Sequence, residues 1–118
     1  IIFSGYGLNC EDETKAAFEM AEGAADIIHL NDIIARPSGL KKADVLIVGG
    51  GFAYGDDAGA GKAYGNRLKQ HLGGEIETFL QRDTLMIGIC NGFQVLTAGG
   101  ILPSKFLVTV HGLLECPA

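Results

Sequence analysis

The chain has 118 residues, enough for one domain spanning 1–118, and its 47% hydrophobic content can supply a core. A net charge of −5 without a basic patch argues against nucleic acid, and no apolar run reaches the roughly 18 residues of a membrane span. Cys10, Cys90 and Cys116 are far apart and none has metal-ligand spacing, which speaks against a zinc site or a disulfide framework and suits a reducing cytoplasm.

In chain order, Ile1-Ile2-Phe3 reads as the end of a buried strand turned by Gly5-Tyr6-Gly7. Asn9 is placed to cap a helix whose first turn holds Glu11, Asp12 and Glu13, where the dipole favours acids. Ala17, Phe18, Ala21 and Ala25 predict its inner face, with an end near Gly23. Asp26 to Leu30 predicts a second strand, with His29 on a sheet face or edge, and 31–39 a loop. Asp44 to Val48 is continuously apolar after its first residue, as a central parallel strand should be. Residues 49–61 are too rich in glycine for regular structure. Helices are predicted over 62–72 and 75–81, a fourth strand over 84–89, and a fifth over 106–110. Strands alternating with helices predict an α/β fold, an open and mostly parallel sheet with helices on both faces, flavodoxin-like in type. Function in such sheets sits beyond the carboxyl ends of the strands.

One stretch organises the rest. Gly88-Ile89-Cys90-Asn91-Gly92 leaves an apolar strand and enters a short helical pattern through Val95, Leu96 and Ala98. This is the cysteine form of the Gly-x-Ser-x-Gly elbow, in which a sharp turn lifts the nucleophile out at the end of a sheet. The start of the helix brings backbone N–H groups and a positive dipole end toward the sulfur. Attack on an amide or ester also needs a place for the oxyanion. The N–H of Asn91 is one donor by elbow geometry, and the backbone of Gly50-Gly51-Phe52, which also follows a strand, can provide a second. Nucleotide readings fit poorly. Gly5-x-Gly7-x-x-Cys10 and Gly49-x-Gly51-x-x-Tyr54 both lack the third glycine of a dinucleotide fingerprint, and Gly61-Lys62 is followed by Ala63 where a P-loop needs Ser or Thr.

Gly50-Gly51-Phe52-Ala53-Tyr54-Gly55-Asp56, Gly88 to Gln94, and Gly7-Leu8-Asn9-Cys10-Glu11 together resemble the glutaminase component of phosphoribosylformylglycinamidine synthase, within the class I glutamine amidotransferases. The resemblance implies hydrolysis of glutamine, with ammonia passed to a synthetase partner that uses ATP and Mg in purine synthesis. It implies no cofactor in this domain. By matched position it makes Cys90 the thioester-forming nucleophile. Gly51, Phe52 and Asn91 would line the oxyanion hole, Gln94 would hold the amino acid end of the substrate, and Gly55 and Asp56 would shape the glutamine pocket or the partner-facing loop.

The chain departs from that pattern after Pro103. The family supplies its base from a His-x-Glu motif well beyond the nucleophile. Here His111 is the one His after Cys90, and Glu115 follows it by four residues rather than two. His111 therefore reads as structural, and the domain as truncated at its carboxyl end. Two other readings compete: a scaffold domain that has lost its triad, and an unrelated cysteine hydrolase or redox protein pairing Cys90 with His111.

Overall fold

The computed structural model describes residues 1–56 and 59–102. Four strands form one sheet: β1 (Ile2–Ser4), β2 (Ile27–His29), β3 (Val45–Val48) and β4 (Leu85–Gly88). They run parallel in the order β2-β1-β3-β4, with Ile2 opposite both Ile27 and Ile47, and Val48 opposite Gly88. The helices are α1 (Glu11–Met20), α2 (Leu30–Ala35), α3 (Lys62–Leu80) and α4 (Asn91–Ala98), with 3-10 turns at Pro37–Lys42 and Ala53–Asp56. The expected parallel α/β architecture is present. The fifth strand expected at 106–110, His111, Glu115 and Cys116 lie outside the described residues.

The main apolar cluster lies on one face of the sheet. Side chains alternate along a strand, so Phe3, Leu46 and Val48 point one way and Ile2 and Ile47 the other. The first set joins Leu30, Ile33, Leu40, Tyr64, Leu68, Leu72, Ile76 and Phe79 in a single apolar cluster that also takes in Val95 and Leu96. Leu68, Leu72, Ile76 and Phe79 recur at helical spacing along α3 and keep one stripe against the sheet.

Several boundaries differ from expectation, each for a physical reason. The two helices expected at 62–72 and 75–81 are one, because the buried stripe continues across Gly73-Gly74. Two helical glycines cost about 1 kcal/mol each, less than the burial of Ile76 and Phe79 returns. The second strand is shorter than expected because Leu30 already opens α2, where a loop was expected. His29 caps that helix through Nδ1, which accepts the Asn31 N–H at 3.1 Å. No residue of α1 is buried, so the inner face expected from Ala17, Phe18, Ala21 and Ala25 is not sealed among the described residues. Cys10, in the left-handed region at φ 66, holds the cap position of α1, and the Asn9 side chain accepts the Cys10 N–H at 2.7 Å.

Tyr64 is fully buried and its hydroxyl donates to the Ser4 carbonyl at 3.1 Å. Burial holds that phenol well above its ordinary value of 10.0. In the unfolded chain the phenol ionises near its ordinary value, while in the fold it stays protonated. Its contribution is therefore whole below about pH 10 and declines as pH rises beyond it. Tyr64→Phe is expected to cost about 1 kcal/mol near neutrality. Urea unfolding should show the gap between wild type and variant shrinking between about pH 9 and 11. A gap independent of pH would contradict this account.

Candidate active site

Cys90 sits between β4 and α4 at φ 54 and ψ −115, outside the left-handed helical basin, and its side chain is exposed. A non-glycine residue there carries backbone strain of about 1–3 kcal/mol, held in place by its surroundings. Those surroundings are close. A Cβ on Gly92 would stand 1.8 Å from the Val48 carbonyl oxygen, and one on Gly88 would stand 2.9 Å from the Phe93 backbone nitrogen. The two glycines thus let α4 start directly against the strand ends, as the elbow spacing predicts. Ile89, just before Cys90, and Phe93, three residues after it, are both about half exposed.

The glycine segment after β3 lies at the same rim. A Cβ placed on Gly50 would come 3.7 Å from the Cys90 Cβ. The segment is stitched to the loop after β1: the Asn9 N–H donates to the Gly50 carbonyl at 2.7 Å, and the Phe52 N–H to the Gly7 carbonyl at 2.8 Å. The Tyr54 N–H donates to the Tyr6 carbonyl and the Gly55 N–H to the Phe52 carbonyl at 2.9 Å. The Ala53 N–H goes to the Asn91 side-chain oxygen at 2.8 Å. Gly51 alone of 51–55 keeps its N–H without an acceptor among the described residues. At φ 138, with Gly7 and Asn9 backbone atoms within 3 Å of where its Cβ would stand, this position admits only glycine.

The residues singled out in the sequence are therefore partly gathered. Cys90, Asn91, Gln94 and the backbone of Gly50 and Gly51 share one corner. The Phe52 amide is committed to Gly7, whereas the Gly51 N–H has no acceptor among the described residues, and Phe52 is 70% exposed. Gly55, at φ 63, and Asp56 close the 3-10 turn that follows. Among the described residues no group of three metal-ligating side chains occurs, and no helix is long and apolar enough to cross a membrane.

Composition and spacing missed an aromatic cluster beside this corner. Tyr6 stacks on Tyr54 with ring centres 4.5 Å apart and planes 8° from parallel. The Arg67 guanidinium lies 5.3 Å from the centre of the Tyr6 ring and donates to the Asn31 side-chain oxygen at 3.1 Å. Tyr6 donates to the same oxygen at 2.9 Å. The partners come from four separate segments, so no local pattern announces them.

The sequence profile of the CobB/CobQ-like glutamine amidotransferase domain matches residues 1–111. The chain belongs to this family. Among curated relatives, a protein of Methanococcus maripaludis named phosphoribosylformylglycinamidine synthase subunit PurQ is 44% identical over 106 residues, covering 88% of this chain and 39% of that protein. A PurQ subunit of Dehalococcoides mccartyi is 45% identical over 97 residues, covering 82% of this chain and 38% of that protein. The chain thus spans about two-fifths of the length of these relatives. The solved structure of PurLQS from Thermotoga maritima superposes with a TM-score of 0.69 at 27% identity, covering 86% of this chain and 43% of that one. The resemblance carried by the three loop motifs agrees with these relatives. The corner around Cys90 combines an exposed thiol, a strained turn that carries it, and the Gly50 backbone alongside.

Proposed function

We propose that the chain is the nucleophile-bearing part of a glutamine amidotransferase serving phosphoribosylformylglycinamidine synthase. The observation that carries this reading is the placement of Cys90, exposed at a strained strand-to-helix apex with the Gly50 backbone alongside. The family membership and the PurQ relatives support it.

In this reading the Cys90 thiolate attacks the side-chain amide carbon of glutamine. The carbonyl oxygen takes up negative charge, and the N–H groups of Gly51 and Asn91 stabilise it. Collapse breaks the carbon–nitrogen bond, the nitrogen leaves with an added proton as ammonia, and a glutamyl thioester remains on Cys90. Water then releases glutamate and restores the thiol. The proton transfers call for a His base oriented by a carboxylate. The ammonia goes to a synthetase partner that uses ATP and Mg, and the domain itself uses no cofactor. The setting is the cytoplasm.

The test is direct. The protein is mixed with glutamine, quenched in acid, digested and examined by mass spectrometry. A glutamyl adduct is expected on the peptide bearing Cys90. An adduct only on Cys10 or Cys116 would overturn the reading, and no adduct at all would favour a non-catalytic scaffold.

A further inference from the structure

Asn91 enters the reading above only through its backbone. Its side chain is buried, 2% exposed, immediately after the nucleophile. The two ends of its amide reach different parts of the site. Oδ1 accepts the Ala53 N–H at 2.8 Å, which ties the elbow to the glycine segment after β3. Nδ2 donates to Gln94 Oε1 at 3.0 Å.

The chemistry fixes the orientation of both amides. A backbone N–H can only donate, so the Asn91 atom facing Ala53 must be the oxygen. That leaves the Asn91 NH₂ to face Gln94, which must answer with its own oxygen. Gln94 is exposed and is left with its NH₂ as the unclaimed end. An NH₂ donates to a carboxylate or a carbonyl and has no use for an ammonium group.

We propose that the Asn91 side chain is a positioning residue, which holds the Gly50–Ala53 backbone against Cys90 and turns Gln94 so that its NH₂ donates to the substrate α-carboxylate. This rests on the glutamine reading. It goes beyond it by assigning the buried amide a role in substrate recognition. An amide alone among side chains of this size both accepts and donates in this way. Aspartate keeps the acceptor for Ala53 and loses the donor to Gln94, whereas leucine loses both.

Two electrophiles applied to the full encoded protein test the assignment. In the chloroketone analogue of glutamine the thiolate displaces chloride only after the amino acid end is recognised. Iodoacetamide alkylates the exposed thiol without that recognition. In Asn91→Leu and Asn91→Asp the ratio of chloroketone to iodoacetamide rates at Cys90 is expected to fall about 10- to 100-fold. Taking the ratio cancels any change in the thiol itself, and Asn91→Asp preserves the volume should the leucine variant fail to fold. Gln94→Ala should lower the ratio similarly, and the Gln94→Ala/Asn91→Asp double variant should be no slower than Gln94→Ala within about two-fold, because the aspartate acts through the missing side chain. Ratios within about two-fold of wild type in the Asn91 variants, or independent multiplicative losses in the double variant, would overturn the positioning role. A wild-type Cys90 no more reactive toward the glutamine chloroketone than toward chloroacetone would instead overturn the glutamine reading itself, and the positioning role with it.

Discussion

Under the proposed function, replacing Cys90 with alanine is expected to lower glutamine hydrolysis by about 10⁴-fold or more, while Cys10→Ser leaves it within about two-fold of wild type. Both thiols are exposed, and both sit before a helix at positive φ. They differ in what surrounds them. Cys10 lies in the ordinary left-handed basin at ψ 18, while Cys90 is at ψ −115, a conformation that side chains rarely adopt. Strain of that kind is kept where geometry is needed, and here it presents the sulfur beside the Gly50 backbone. In the proposed mechanism the thiol supplies the bond that forms, so its loss would remove the covalent route altogether and leave only binding and the proposed oxyanion donors to act. Ammonia release from the full protein, together with the synthetase partner proposed above, is the measurement. A Cys90→Ala protein that kept more than about a tenth of wild-type turnover would show that another group attacks the amide.

The second large effect concerns Gly92. Its Cβ would fall 1.8 Å from the Val48 oxygen, 2.5 Å from the Val48 carbonyl carbon and 2.8 Å from the Gly49 oxygen. All three are backbone atoms at the end of a central strand, so no rotamer change relieves the overlap. The helix must move away, and α4 carries Val95 and Leu96, both fully buried in the core. Gly92→Ala is expected to cost about 3 kcal/mol or more and to lower the melting temperature by more than about 10 °C. Circular dichroism on heating checks it, and a shift below about 2 °C would mean that the contact relaxes without cost. The same displacement would carry Asn91 away from Ala53. Chloroketone labelling at a temperature where the variant is still folded should therefore also slow.

Much of this was legible because it is local. The apolar runs at 45–48 and 85–88 mark parallel strands, and the Gly88-x-Cys90-x-Gly92 spacing marks the elbow without any knowledge of what surrounds it. Gly73-Gly74 misled for the opposite reason. Their low helix propensity is a local signal, overruled by a stripe from Leu68 to Phe79 whose value depends on the sheet it covers. The helix at Leu30–Ala35 was hidden by Asn31 and Asp32, which read as loop residues until His29 is seen to cap them. The Asn91–Ala53 bond spans 38 positions and the Tyr6–Tyr54 stack 48, and no sequence window contains either pair. The sequence treats Gly51 and Phe52 alike, and only the pattern of donated amides, with the Phe52 N–H bound to the Gly7 carbonyl, separates them.

The hydrogen bonds that run from Tyr6, Gly7 and Asn9 to 50–54, and from Ala53 to Asn91, join the ends of three neighbouring strands into one block. A designer who transplanted the five-residue cysteine motif into another parallel sheet would move the sulfur and leave its setting behind. The portable unit is a trio of loops, cut from the chain in three places, and a host scaffold has to offer three adjacent strand ends at matching heights to receive it.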